Sequence, residues 1–182
     1  MMFCKERQVV FFMPPRTGTT TLSSKLRELG FLGSNLVGEG NPNPRHLTYE
    51  FVIKNYPEFK NYKLYGFYRD PEDRFLSTLN FCNADKLMFN SMFSKVFLDN
   101  WVSFRPQVDF LVYPKVTVLD FGKFQQELEA VLGKDCIKTP VLKLNSVSKT
   151  TVVNSDLRQY IQRMYRDDYE LSEKVFGRRI AA

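Results

Sequence analysis

Two short stretches of this sequence carry residue types that hold anions. The first is Pro14-Pro15-Arg16-Thr17-Gly18-Thr19-Thr20-Thr21-Leu22. Its glycine permits a sharp backbone path, the N–H groups that open a following helix have no helical partners, and threonine hydroxyls add donors around one arginine. Such a loop can cradle a phosphate-like group; the plain alternative is a turn whose threonines only cap a helix. The second stretch is Tyr68-Arg69-Asp70-Pro71-Glu72-Asp73-Arg74-Phe75-Leu76-Ser77. With Pro71 opening a helix, Ser77 stands about two turns along it. Arg69 and Ser77 can then address one phosphate, the guanidinium by charge-assisted hydrogen bonds and the serine by its hydroxyl. Asp70 reads as a helix-start residue, and Arg74 as a partner of Asp70 or Asp73 or a surface side chain.

Each stretch needs a rigid element to hold it. Gln8 to Met13 is a continuous apolar and aromatic run, the pattern of a strand covered on both faces and central in its sheet. Thr19 to Leu29 follows with Leu22, Leu26 and Leu29 at helical spacing and Gly30 as the stop. Lys63 to Tyr68 reads as a second buried strand that feeds the second stretch. Between them, Gly38 to Pro44 is rich in turn formers, and a helix is expected over Leu47 to Asn55 with His46 at its entrance.

Downstream, residues 85 to 104 have the apolar content of helical packing surface, and Phe110–Tyr113 and Val116–Leu119 read as two short strands around Pro114-Lys115. A helix over Phe121 to Leu132 stops at Gly133, Thr139 to Thr151 is expected as a loop, and a single helix from the cap Ser155 to Val175 ends the pattern. Strands alternating with helices give the expected fold: one domain over 1–182, α/β, three layers around a mainly parallel central sheet.

The bulk properties narrow the chemistry. With 182 residues, 43% hydrophobic and 25% charged, the chain can bury one sizeable core. Its apolar runs near the start are too short to cross a bilayer, and no signal peptide or anchor is visible, so a cytoplasmic protein without a membrane partner is expected. Cys4, Cys82 and Cys136 have neither metal-ligand nor redox spacing, which argues against a disulfide framework and a metal site. A net charge of +6 favours anionic ligands, but the cations are scattered rather than gathered in a tail, which argues against a nucleic-acid partner.

A nucleotide kinase or NTPase would carry G-x-x-x-x-G-K-[ST] in the first stretch, with lysine reaching the β- and γ-phosphates. Here Thr19 follows Gly18, and Lys25 lies too far into the helix to take over. Pro15-Arg16-Thr17-Gly18-Thr19-Thr20 instead resembles the 5′-phosphosulfate loop of sulfotransferases, P-[KR]-[ST]-G-[ST]-[ST], and Arg69 to Ser77 resembles their 3′-phosphate motif, R-[DN]-P-x-x-R-x-x-S. Weaker similarity to carbohydrate-type, Golgi-type members runs through Arg45-His46-Leu47-Thr48, Arg105-Pro106-Gln107, Leu142 to Ser146 and Tyr165 to Leu171, in a compact form closer to microbial or viral members.

The resemblance implies a P-loop-NTPase-like sulfotransferase fold that uses 3′-phosphoadenosine-5′-phosphosulfate (PAPS) and releases 3′-phosphoadenosine-5′-phosphate (PAP). It implies Arg16 at the bridging oxygen, Thr17, Gly18, Thr19, Thr20 and Thr21 around the 5′-phosphate, Arg69 and Ser77 on the 3′-phosphate, and no metal. The family's base is a histidine or a glutamate, which here means His46, with Glu39 and Glu50 as the other candidates. The acceptor is a hydroxyl, and the carbohydrate-type similarities favour a glycan. Lys143, Asn145, Ser146 and Lys149 form a basic loop able to meet the nucleotide or an anionic acceptor, whereas Tyr165, Asp168 and Tyr169 read as packing residues of the last helix. A basic, non-catalytic binding protein on the same fold is the other class that these residues allow.

Overall fold

The computed structural model describes residues 1–34, 45–81, 102–134 and 153–177. Its centre is a five-stranded sheet of β1 (Met2–Cys4), β2 (Val9–Phe12), β3 (Leu32–Gly33), β4 (Lys63–Tyr68) and β5 (Thr117–Asp120), in the order β3-β1-β2-β4-β5. β2 therefore occupies the middle. It pairs in parallel with β4, Phe12 opposite Gly66, and β4 pairs in parallel with β5, Tyr68 opposite Asp120. β1 runs antiparallel to β2 and β3 antiparallel to β1. The sheet is thus mixed, parallel only where strands are joined through helices. β1 turns back directly into β2 through Gln8, which sits at φ 53.

Six α-helices stand among the described residues: α1 (Thr19–Glu28), α2 (Tyr49–Asn55), α3 (Pro71–Phe81), α4 (Phe124–Leu132), α5 (Ser155–Met164) and α6 (Arg166–Phe176). Successive strand residues point to opposite faces, so the all-apolar β2 needs cover on both. Val9, Phe11 and Met13 pack with Leu22 and Leu26 of α1 and Leu128 and Leu132 of α4. Val10 and Phe12 pack on the other face with Val52 and Ile53 of α2 and Leu171 of α6. Each such fully buried side chain contributes about 1.5–3 kcal/mol. A third cluster joins Phe75, Leu76 and Leu79 of α3 to Leu157 and Ile161 of α5, away from the sheet faces. Among the described residues no helix is long and apolar enough to cross a membrane.

Several local expectations are corrected. Phe110–Tyr113 is not a strand: Phe110 and Leu111 follow a 3-10 turn at Gln107–Asp109 and plug the core, with Leu111 lying where a Cβ on Gly66 would collide with it. Only the second run, as β5, returns to the sheet. The final helix is two helices, because the backbone breaks at Tyr165 (φ -112, ψ 29), and Asn154 rather than Ser155 caps the first, accepting from Leu157 N–H at 2.9 Å. The helix expected from Phe121 begins as a 3-10 turn, Phe121–Lys123, capped by Asp120. Glu39, the 38–44 loop, the 85–104 segment up to Trp101, and the 139–151 loop with Lys143, Asn145, Ser146 and Lys149 lie outside the described residues.

Candidate functional site

The β2 exit shapes itself locally. Arg16 adopts φ 65 and Gly18 φ 72, both in the left-handed region. A glycine meets that demand without cost, whereas an arginine is strained by roughly 1–2 kcal/mol. The loop is fastened from within by the Thr17 hydroxyl, which donates to the Pro14 carbonyl at 2.7 Å, and Thr17 is buried. Gly18 is the N-cap of α1 and offers no side-chain acceptor to the helix's first N–H groups. Of the threonines that follow, Thr20 is exposed and Thr19 and Thr21 are partly so. Ser23, one turn on, spends its hydroxyl on the Thr19 carbonyl at 2.6 Å.

The β4 exit lies beside it, since β2 and β4 are parallel neighbours, with β4 running on to Tyr68 past the last pair, Phe12 opposite Gly66. Connections leave the two strands toward opposite edges, α1 leading to β3 and α3 lying on the way to β5, which is the arrangement that opens a crevice at the carboxyl ends of an α/β sheet. Arg69 reaches across, its Nη1 donating to the Arg16 carbonyl at 3.0 Å, and Arg16 Nε donates to Ser77 Oγ at 3.2 Å. The two sequence stretches therefore meet through Arg16, Arg69 and Ser77. Both guanidiniums rest on rings: Arg16 lies 4.5 Å from the Phe81 centroid and Arg69 5.2 Å from that of Phe121, the residue following β5. Phe121 also covers Gly18, where an added Cβ would come within 2.7 Å of its ring. Burial, with the Arg16 charge nearby, pushes the Arg69 pKa down, while Asp73 and Asp70 oppose this; no ion pair to Arg69 forms among the described residues. Asp70 does start the helix, accepting from Asp73 N–H at 3.1 Å.

His46 stands at the same end of β2, its Nδ1 2.7 Å from the Met13 carbonyl. A carbonyl only accepts, so Nδ1 carries the proton and Nε2 is the accepting nitrogen. Burial lowers the His46 pKa to about 4; the Met13 bond opposes this, and the chain's amino group, Arg45 and Arg16 add to the lowering. The ring is neutral at pH 7. Glu50 is exposed in the first turn of α2.

Arg74 is neither on the surface nor paired with Asp70 or Asp73. It is fully buried, donates to the carbonyls of Ser103 at 3.2 Å and Arg105 at 2.8 Å, approaches Asp168 at 3.8 Å and lies 4.6 Å over the Tyr165 ring. Asp168 also accepts from Val108 N–H at 3.0 Å. Burial raises its pKa, which Arg74 and the Gln107 and Val108 bonds pull back. Sequence reasoning missed Gln107, whose side-chain amide accepts from Arg69 N–H at 2.9 Å and donates to the Arg69 carbonyl at 2.8 Å. Only its position beside Arg105-Pro106 hinted at a role.

Among the described residues no three His, Cys, Asp or Glu side chains gather as a metal site. Comparison with protein-family models, curated proteins and solved structures finds no match. The arrangement itself is two neighbouring strand exits, two arginines, a serine hydroxyl, a helix start without a side-chain cap and a neutral histidine. Chemically it can bind an anion with more than one charged group beside a hydroxyl that needs a base.

Proposed function

We propose that this chain is a PAPS-dependent sulfotransferase, on a P-loop-like form of the mixed α/β fold, acting on a hydroxyl of a carbohydrate-class acceptor. The observation that carries the reading is the meeting of the two exits: Arg69 on the Arg16 carbonyl at 3.0 Å and Arg16 on Ser77 at 3.2 Å. Two cation-bearing exits side by side suit a nucleotide with phosphates at two separate positions; a single polyphosphate chain needs only the first. The donors fit such a ligand, with a guanidinium that forms no ion pair among the described residues and a helix start whose N-cap contributes no side-chain bond. With Cys4 buried as a free thiol, the reading is of a cytoplasmic enzyme.

When bound, PAPS supplies a sulfonate already activated on its 5′-phosphate. The first N–H groups of α1, with Thr19 and Thr20, hold the 5′-phosphate end, and Arg69 with Ser77 holds the 3′-phosphate. Arg16 stabilises the negative charge that grows on the departing oxygen. Nε2 of the neutral His46 takes the proton of the attacking hydroxyl; burial keeps the ring in that accepting form throughout the neutral range and also makes it a weaker base than an ordinary histidine. Alignment and charge stabilisation are the protein's main contributions, as in phosphoryl transfer.

The test is a comparison of melting temperatures with PAP, AMP and ADP at equal concentration. PAP should raise the transition most, because only it addresses both exits. Equal shifts with all three, or magnesium-dependent ATP hydrolysis that Arg16→Ala abolishes, would replace the reading with that of a nucleotide kinase or NTPase.

A further inference from the structure

We infer that Gln107 is a positioning residue for nucleotide discrimination: its side-chain amide fixes the backbone of Arg69 and so aims that guanidinium at the second phosphate. The inference rests on the function proposed above. β4 ends at Tyr68, whose pairing partner is Asp120, so the next residue leaves the ladder with its N–H and carbonyl in need of partners. Gln107 supplies both. A primary amide carries an acceptor and a donor side by side, and here the oxygen takes the Arg69 N–H at 2.9 Å while the nitrogen gives to the Arg69 carbonyl at 2.8 Å. One side chain thus substitutes for a neighbouring strand and holds the Cα–Cβ direction of Arg69.

The support is itself anchored. Gln107, Asp168 and Arg74 are all fully buried; Gln107 Nε2 reaches Asp168 Oδ2 at 3.4 Å, and Asp168 faces Arg74 at 3.8 Å. Burying three polar side chains is a poor way to gain stability, since apolar packing of similar volume serves as well or better. What such a network does supply is one defined geometry at the single residue where the strand hands its cation to the site. The far end of the Arg69 side chain is held separately, by the Arg16 carbonyl and the Phe121 ring.

The experiment is calorimetric titration of PAP and AMP into the full chain, as wild type, Gln107→Met, Arg69→Ala and the double variant. Gln107→Met should reduce the preference for PAP over AMP about tenfold, the scale of lost hydrogen-bond positioning at a charged contact. AMP affinity should stay nearly constant, and the double variant should lose no more preference than Arg69→Ala alone. An unchanged preference in Gln107→Met, or losses that add in the double variant, would overturn the role of Gln107. A wild type without preference for PAP would instead overturn the function beneath it, so the two failures are read in different arms. Should Gln107→Met not fold, Gln107→Asn serves: it keeps the amide but is one methylene too short to reach the Arg69 N–H and carbonyl together, so the same loss is expected.

Discussion

The two strand exits are built in opposite ways. At the end of β2, Pro14 to Gly18 is held mainly by its own chain: two left-handed residues and a hydroxyl-to-carbonyl bond spanning three positions. At the end of β4, Arg69 is held by residues far along the sequence, Gln107 directly and Asp168 and Arg74 behind it. A locally built loop is strained but self-contained, whereas a remotely supported one is relaxed and depends on the whole of α3, α6 and the 102–109 segment staying in place. The β2 exit should therefore tolerate distant changes, and the β4 exit should not.

The largest way to break that contrast is Arg74→Ala, which leaves Asp168 buried without its counter-charge. A loss of about 3–5 kcal/mol in urea unfolding is expected; a loss below about 1 kcal/mol would mean that the β4 exit does not depend on this network. Next comes Gly18→Ala, which forces a Cβ at φ 72 against the Phe121 ring. About 1–3 kcal/mol should be lost, since strain and overpacking act together, and a neutral result would show that the β2 loop has room to give.

His46 is one of the remote ties at the mainly local β2 exit, beside those of Arg69 and Ser77 to Arg16, and pH isolates it. Its pKa is about 4 in the folded chain against an ordinary 6.5, so the unfolded chain takes up the proton first. The contribution is full above pH 6.5 and is lost as pH falls toward 4, on the order of 1 kcal/mol once solvent screening is allowed for. His46→Asn, whose amide can still donate to the Met13 carbonyl, should remove this part of the slope, while Asp168 and the other titrating groups are common to both chains. Parallel stability–pH curves would contradict the assignment. The smallest effect belongs to the surface tie between α5 and α3, Arg158 Nε to Glu72 at 3.1 Å, half exposed on one side. Arg158→Ala should cost about 0.2–1 kcal/mol, less at high salt, and a larger cost would give the β4 exit a support that its buried network does not explain.

The same contrast governs what the sequence made legible. β2 and β4 could be read because both are near-continuous apolar runs, and the loop and helix after β2 because glycine, proline and threonine act on their own neighbours. Arg69 and Ser77 were found from local spacing, but their support was not, since Gln107 lies 38 residues from Arg69 and Asp168 lies 61 from Gln107. Arg74 was misread for the same reason: helical spacing put Asp70 and Asp73 near it, while tertiary packing gave it Asp168 and Tyr165. β1 and β3 are too short to show a period, and Phe110–Tyr113 has strand composition but fills the space above Gly66. The break at Tyr165 is equally non-local, because that ring is buried under Arg74 with its hydroxyl on the Phe104 carbonyl at 2.9 Å.

A crystal structure of the chain with PAP puts the account to its most direct trial. The 5′-phosphate should lie on the first N–H groups of α1 within reach of Arg16, and the 3′-phosphate should be bonded by Arg69 and Ser77. A nucleotide held by one exit only, with Arg69 still committed to the Arg16 carbonyl and no phosphate beside Ser77, would contradict it.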